Sequence, residues 1–552
     1  MLYLVALATD GRDGPASRRH RREFQDGRDR EGDDARRGQA HDDRRRGGQG
    51  RRRIAHDPAR RRRPTARLAR GDRRRGRRAT SIEVSRPANG GRNWSKAEAT
   101  TLYGWYTGLA YLLPILGGLI ADKLIGTHRS MLVGGITIAL GHIRARRIRW
   151  STSGGMSIFM KASSLIAGSA PATSADAVSM VKAATTGRIR ARWRPSRSST
   201  WASTSAFAIC AFVCGTLGEK VGWHWGFGAA AVGMILGLAM YIWGRRRFLE
   251  GVGLPPEGKP NYAPFFVVLA LVLSAGVAWF FHAGGFGAIS RGFEAIATNL
   301  GHGATVAAIL LLMTALIGWL LAIQAREDVP KVAAILVFIL FNTFFWMAFE
   351  QAGSTLNLFA EEKTNLSLGG WSMPASWFQS VNPALIILLA PLFAFIWPAL
   401  AKRKLEPKHP GKIGWGLLLL GIGYIVMVFG GQAAATGVKV SMFYLFLTYF
   451  FHTLGELCLS PTGLSFVTKA APMKFVSLLM GIWFLSSFAA GVLGGAIGSY
   501  VEEIEKGTVR LPWSGTFGGQ GDFFALFVVS SIGAAIVIFA LSPVLNRMSR
   551  EV

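Results

Sequence analysis

A chain of 552 residues carries a net charge of +31, yet half of it is hydrophobic. One segment cannot satisfy both figures, so a uniformly basic globular domain is excluded and the charge must be segregated. About +15 lies in residues 1–100 and about +10 in 143–204, which leaves the remainder apolar and close to neutral.

Residues 1–92 form the first region. From 7 to 92 they are Arg, Asp, Gly and His with almost no apolar side chains, so they cannot bury a core and are expected to be disordered. Such a segment could bind nucleic acid or anionic headgroups, but it has neither interleaved aromatics nor helical pattern. No nucleic-acid partner is expected. The opening MLYLVALA is too short for a secretory signal, and its basic residues follow rather than precede it.

Crossing a bilayer takes about 20 mostly apolar residues. Spans are expected near 101–121, 129–142 (cut short), 205–217 (short), 223–243, 262–282, 302–323, 332–360, 376–400, 411–430, 440–463, 474–498 and 522–545. A soluble helical protein would need that many uncharged runs by accident. Small residues such as Gly491, Gly494, Gly495 and Gly498 recur at helix-packing spacing. Basic residues gather in alternate short loops: Lys123 with Arg129, Arg245 to Arg247, Lys402 to Lys404, and Arg547 with Arg550. The positive-inside rule makes these loops, and the C-terminus, cytoplasmic. Polar loop 361–375 then faces outward.

Residues 143–206 interrupt this pattern. The span at 129–142 stops at Gly141-His142 and gives way to RARRIRW, followed by Arg, Ser, Ala and Thr at a density no bilayer helix tolerates. Three cysteines (Cys210, Cys214, Cys458) lie in apolar context and imply no disulfide framework. Cys210 and Cys214 share a helix face, but no second Cys or His pair joins them to make a metal set. His452, one turn before Glu456, is read as a packed histidine.

Glu350 and Glu456 stand out because a carboxylate inside a membrane segment costs roughly 2.5–3.5 kcal/mol on insertion scales. Either would need a task to justify that. A carboxyl in a partly desolvated cavity favours the proton, and a neighbouring cation or hydrogen-bond donor favours the charge. The same group can thereby work as a proton switch. A zwitterionic ligand would need a carboxylate for its ammonium group and a cation for its own carboxyl group.

Several stretches resemble one family in the right order: LYGWYTGLAYLLPILGGLIADKLIGTHRSMLVGG (102–135), GEKVGWHWGFGAAAVGM (218–234), FFWMAFEQAGSTLNLF (344–359), QSVNPALIILLAPLFAFIW (379–397) and HTLGELCLSPTGLSFVTKAAP (452–472). They are similar to the proton-coupled oligopeptide transporters of the major facilitator superfamily. The resemblance implies an all-α membrane protein with two six-helix bundles plus two inserted helices. On that frame the N-terminal bundle spans 93–245 and is incomplete, a two-helix linker covers 246–330, and the C-terminal bundle covers 331–552.

The implied function is proton-driven symport of di- and tripeptides across the cell membrane by alternating access. No enzyme activity and no cofactor beyond the coupling proton are implied, and a monomer is expected. By resemblance Glu350 is the proton-coupling residue. Tyr111, Trp346, Asn382, Glu456, Ser460 and Trp483 line the substrate site, and Asp122 belongs to a structural loop motif. Asn382 precedes Pro383 and, as the alternative, caps a helix; Ser460 could instead be an ordinary helix serine.

The chain departs from the family where cations are expected. It has no E-x-x-E-R-F-x-Y-Y, F-K-P-N or F-Y-x-G-I-N; in the last place stands STWASTSA (199–206). The codons TTC TAC ATG GGC ATC AAC CTC GGC GCG encode FYMGINLGA, and read one base later they encode STWASTSA. Residues from about 143 to 206 are therefore read as largely out of frame, and the chain is expected to be functionally impaired.

Overall fold

A computed structural model describes residues 95–120, 126–147, 205, 208–248, isolated positions between 262 and 299, and 302–548 except 473–474. The Arg-rich N-terminal region, Asp122, most of 143–206 and most of the 262–282 span fall outside the described residues.

The first helix, α1, is Lys96–Ile120, followed by α2 at Thr127–Arg147. A helical stretch over 208–216 runs into a single π turn, Leu217–Val221, and then into α3, Trp223–Phe248. Next come α4 at His302–Ala322 and α5 at Val329–Phe349. A 3-10 turn, Glu350–Gly353, separates α5 from α6, Thr355–Glu362. Beyond the outer loop lie α7 (Phe378–Lys402), α8 (His409–Ala435), α9 (Phe443–Ala470), α10 (Val476–Ser499), α11 (Val501–Glu505) and α12 (Gln520–Met548). Six apolar helical segments among the described residues are long enough to cross a membrane. The span expected at 332–360 is thus not one helix: it breaks at Glu350.

In the C-terminal half α8 packs between α9 and α12, α5 lies on α10 and α12, and α7 rests on α9. The centre of this half is aromatic. Phe338 meets Phe466 edge-on at 4.5 Å, Tyr424 stacks on Phe527 at 4.9 Å, and Phe359 meets Phe524 at 5.7 Å. Tyr424 is fully buried, and its hydroxyl finds the Ala348 carbonyl at 2.6 Å, satisfying the one polar atom its ring brings in. The lipid-facing side stays apolar, as at Leu388 and Phe395 of α7, which are 70% and 72% exposed.

In the other half α2 packs on α3, whereas α1 lies along α10. This contact is glycine-lined from both sides. A Cβ on Gly104 would sit 2.5 Å from the Gly491 carbonyl oxygen, and one on Gly495 would sit 2.6 Å from the Gly104 Cα. Only glycine fits, and the two backbones touch directly.

The outer end is tied by polar contacts. Lys96 bridges Glu362 at 2.6 Å and Glu502 at 3.3 Å, and Lys363 pairs with Glu505 at 2.9 Å. Burial works against the Lys96 charge, but Glu362 and Glu502 outweigh it and raise its pKa. The Glu219 carboxylate accepts the backbone N–H groups of Ala375 (3.0 Å) and Ser376 (2.9 Å), where the chain enters α7. Trp377 Nε1 donates to Thr216 Oγ1 at 2.8 Å, and Lys220 lies 5.5 Å from the centre of the Trp371 ring. Two short ladders complete this end: β1 (Thr364–Asn365) runs parallel to β4 (Val440–Ser441), while β2 (Ser367–Leu368) and β3 (Trp371–Ser372) pair antiparallel.

Candidate functional site

The break in the seventh span places the first intramembrane carboxylate. Glu350 opens the 3-10 turn, and Ser354, at φ −123° and ψ −95°, resets the chain before α6. Helix interruptions of this kind in a membrane are tolerated where other groups re-satisfy the backbone. Gln351 does so from inside: its amide nitrogen, Nε2, donates to the Gly494 carbonyl at 2.8 Å, and its Oε1 accepts the Ser354 and Thr355 hydroxyls at 3.1 and 2.9 Å. Gln379 adds a bond from Nε2 to the Ala352 carbonyl at 2.6 Å.

Glu350 itself reaches across to α1, where the Tyr103 hydroxyl donates to its Oε2 at 3.1 Å. Glu456, on α9, is held from α7: Asn382 Nδ2 donates to Glu456 Oε2 at 2.8 Å and lies 3.1 Å from Thr453 Oγ1. Among the described residues neither carboxylate forms an ion pair. Tyr111 lies two turns along α1 from Tyr103, within electrostatic reach of both Glu350 and Glu456. Three of the residues singled out in the sequence therefore converge with Asn382 on one space between the halves.

The tryptophans belong to a second, connected line of contacts. Trp346 Nε1 donates to Asn342 Oδ1 at 3.1 Å, and Asn342 Nδ2 donates to Ser486 Oγ at 2.9 Å. Ser486 in turn donates to the Trp483 carbonyl at 2.6 Å. Asn342 and Ser486 are 2% and 4% exposed, so this polar relay sits inside the bundle and ties α5 to α10. Ser460 lies one turn beyond Glu456 on α9 and is half-buried.

Asn382 does not cap a helix. It lies inside α7, with Pro383 also inside, and spends its amide on Glu456 and Thr453. His452 is buried, its ring 4.8 Å from that of Tyr424. Cys210 and Cys214 are free thiols with their sulfurs 3.7 Å apart.

Sequence reasoning passed over Tyr103, Asn342, Thr453, Ser486 and Glu219. Tyr103 had a signal, since it lies in LYGWYTG two turns from the chosen tyrosine. The amide of Asn342, within an otherwise apolar run, was another.

Comparison with known proteins identifies the family. The POT family pattern, PTR2, matches residues 205–513. The uncharacterized transporter YclF of Bacillus subtilis (strain 168) is 30% identical over 480 residues, covering 84% of this chain and 89% of its own. The peptide transporter YePEPT of Yersinia enterocolitica is 30% identical over 436 residues, covering 75% of this chain and 81% of its own. A di-/tripeptide transporter of Lactococcus lactis subsp. cremoris is 28% identical over 481 residues, with 83% and 89% covered. The crystal structure of a mutant of the peptide transporter POT in complex with alafosfalin superposes with a TM-score of 0.64 at 27% identity, over 85% of this chain and 89% of that one. With its apolar helices, its interrupted seventh span and these relatives, the chain is a multi-pass membrane protein that belongs to the POT family, the proton-coupled oligopeptide transporters of the major facilitator superfamily.

Proposed function

We propose that the chain is a proton-coupled symporter of di- and tripeptides that works by alternating access across the cell membrane, with its coupling weakened. The observation that carries this reading is the pair of intramembrane carboxylates, Glu350 and Glu456, facing one space between the halves without a cationic partner among the described residues. Glu456, oriented by Asn382, is placed to receive a peptide ammonium. Asn382, Tyr111 and Ser460 offer hydrogen bonds along the peptide, and Trp346 and Trp483 bound its side chains. Glu350 carries the proton. Among the described residues its bond from the opposite half is to a neutral phenol, so protonation exchanges a charge-assisted bond for an ordinary one. The names of the Yersinia and Lactococcus relatives support peptides as the substrate class.

The weakened coupling follows from what 143–206 lacks. Losing one partner of a buried ion pair costs about 3–5 kcal/mol, and 143–206 lacks the F-K-P-N motif whose lysine the family resemblance implies. A non-transporting product is the second reading, favoured by STWASTSA at 199–206. Uptake of labelled dialanine into proteoliposomes with an acidic exterior tests the function. Gradient-driven uptake is expected to be slow and to vanish in Glu350→Gln, which should still exchange peptide. A chain whose 143–206 segment is restored from the alternative reading frame should transport faster. Failure of both chains to move or bind any peptide overturns the reading.

A further inference from the structure

We propose that Tyr103 is the positioning residue for Glu350, a neutral phenol that holds the carboxylate across the two halves where no cation among the described residues does so. The inference rests on the reading of Glu350 as the proton-carrying group and deepens it.

Three features of the geometry converge on this hydroxyl. It donates to Glu350 Oε2 at 3.1 Å from a residue 247 positions away in sequence. Its place is reserved by Gly353, where an added Cβ would overlap the Tyr103 hydroxyl oxygen. Its height along the membrane is set by the next residue, Gly104, which is in backbone contact with Gly491 and Gly495 of α10. The seam therefore delivers the phenol to one level, and the 3-10 turn offers both the carboxylate and the gap at that level.

The other titratable groups around the pair are Tyr106 and Tyr111 on α1, Tyr424 on α8, and Tyr449, His452 and Glu456 on α9. The interior of α10 presents none. Among the described residues no Lys or Arg competes with the phenol for Glu350. When Glu350 is ionised the phenol donates to it and the halves are tied. When Glu350 takes up a proton the bond becomes one between neutral groups, about half as strong, and the tie loosens.

Dicyclohexylcarbodiimide, which reacts with a protonated carboxyl, reads this contact without requiring transport. The probe is applied to the purified full chain in lipid nanodiscs at about pH 7.5, and labelling of Glu350 is measured by peptide mass spectrometry. Glu350→Gln fixes the background. Tyr103→Phe, which removes a single oxygen, should raise Glu350 labelling about threefold or more, because the ionised form loses its donor. Gly353→Ala, which keeps the phenol but pushes its hydroxyl away, should do the same. Unchanged labelling in both variants overturns the proposal, as does an increase in Gly353→Ala that persists unaltered when Tyr103→Phe alone has no effect. Binding of trialanine by the unsubstituted chain, followed in the same preparation, reports separately on the transport reading. Labelling that responds while no peptide binds would retain Tyr103 and reject the substrate.

Discussion

The two halves of this molecule are held together by different means. The C-terminal half has its own centre, in which Phe338, Tyr424, Phe466, Phe524 and Phe527 are all fully buried against one another. Of the described helices in the other half, α2 and α3 pair with each other, while α1 finds its main neighbour in α10 of the opposite half. Side chains interlock in the first case; in the second, backbones touch through glycine. An aromatic core tolerates loss of a contact by partial collapse, but a backbone seam has nothing that can give way. The C-terminal half supplies its own packing, and α1 leans on it.

The comparison is broken most directly at the seam. Gly495→Leu should cost about 3 kcal/mol or more, because neither α1 nor α10 can retreat from the added atoms. Loss of the monodisperse peak in size-exclusion chromatography and a lowered melting temperature would record it. Phe527→Ala in the aromatic core should cost about 3 kcal/mol through the cavity it leaves and spare the α1 contact. The ranking fails if Phe527→Ala proves the more damaging of the two.

A smaller effect is expected at the outer clamp, and it depends on pH. Burial pushes the Glu219 carboxyl up from the ordinary carboxylate range, against the N–H donors of Ser376 and Ala375, which pull it down. A value raised in the clamped arrangement means that its stabilisation is complete below the ordinary carboxylate pKa and is lost as pH rises through the raised one. Acidification should therefore tighten the clamp. Spin labels on residues 221 and 371, in a chain with its three cysteines replaced, should give a shorter and narrower distance distribution at the lower pH. Glu219→Gln should flatten that dependence.

Smaller still is Lys96→Met. Its two ion pairs are partly exposed, so about 1 kcal/mol of outer closure is at stake, and salt should reduce it further. Lowered melting that disappears in about 1 M salt would sharpen the distinction between surface ties and the seam.

Much of the architecture was legible in sequence because apolar length and basic loops are coarse, additive signals. The spans from 411 onward fall on α8, α9, α10 and α12. Glu350 and Glu456 declared themselves by the cost of burying a carboxylate. What stayed hidden depended on three-dimensional company. The run 332–360 reads as one apolar helix, and its break at Glu350–Gly353 brings Gly353 against the Tyr103 hydroxyl, a neighbour no local pattern announces. Asn382 before Pro383 resembled a cap because cap and interior share a residue type; the 3-10 turn at Ala375–Trp377, just before Phe378, moved the helix start upstream. Glu219 has no role legible in GEKVGWHWGF, since no local pattern reveals that its partners are backbone N–H groups more than 150 positions away.

The glycine seam also acts as a barrier to water. A joint made of side chains leaves crevices whenever a rotamer changes, and a single file of water through such a crevice conducts protons. Where Gly104 lies on Gly491 and Gly495, no rotamers exist to change. A cell that stores its energy as a proton gradient is thereby insulated along this contact.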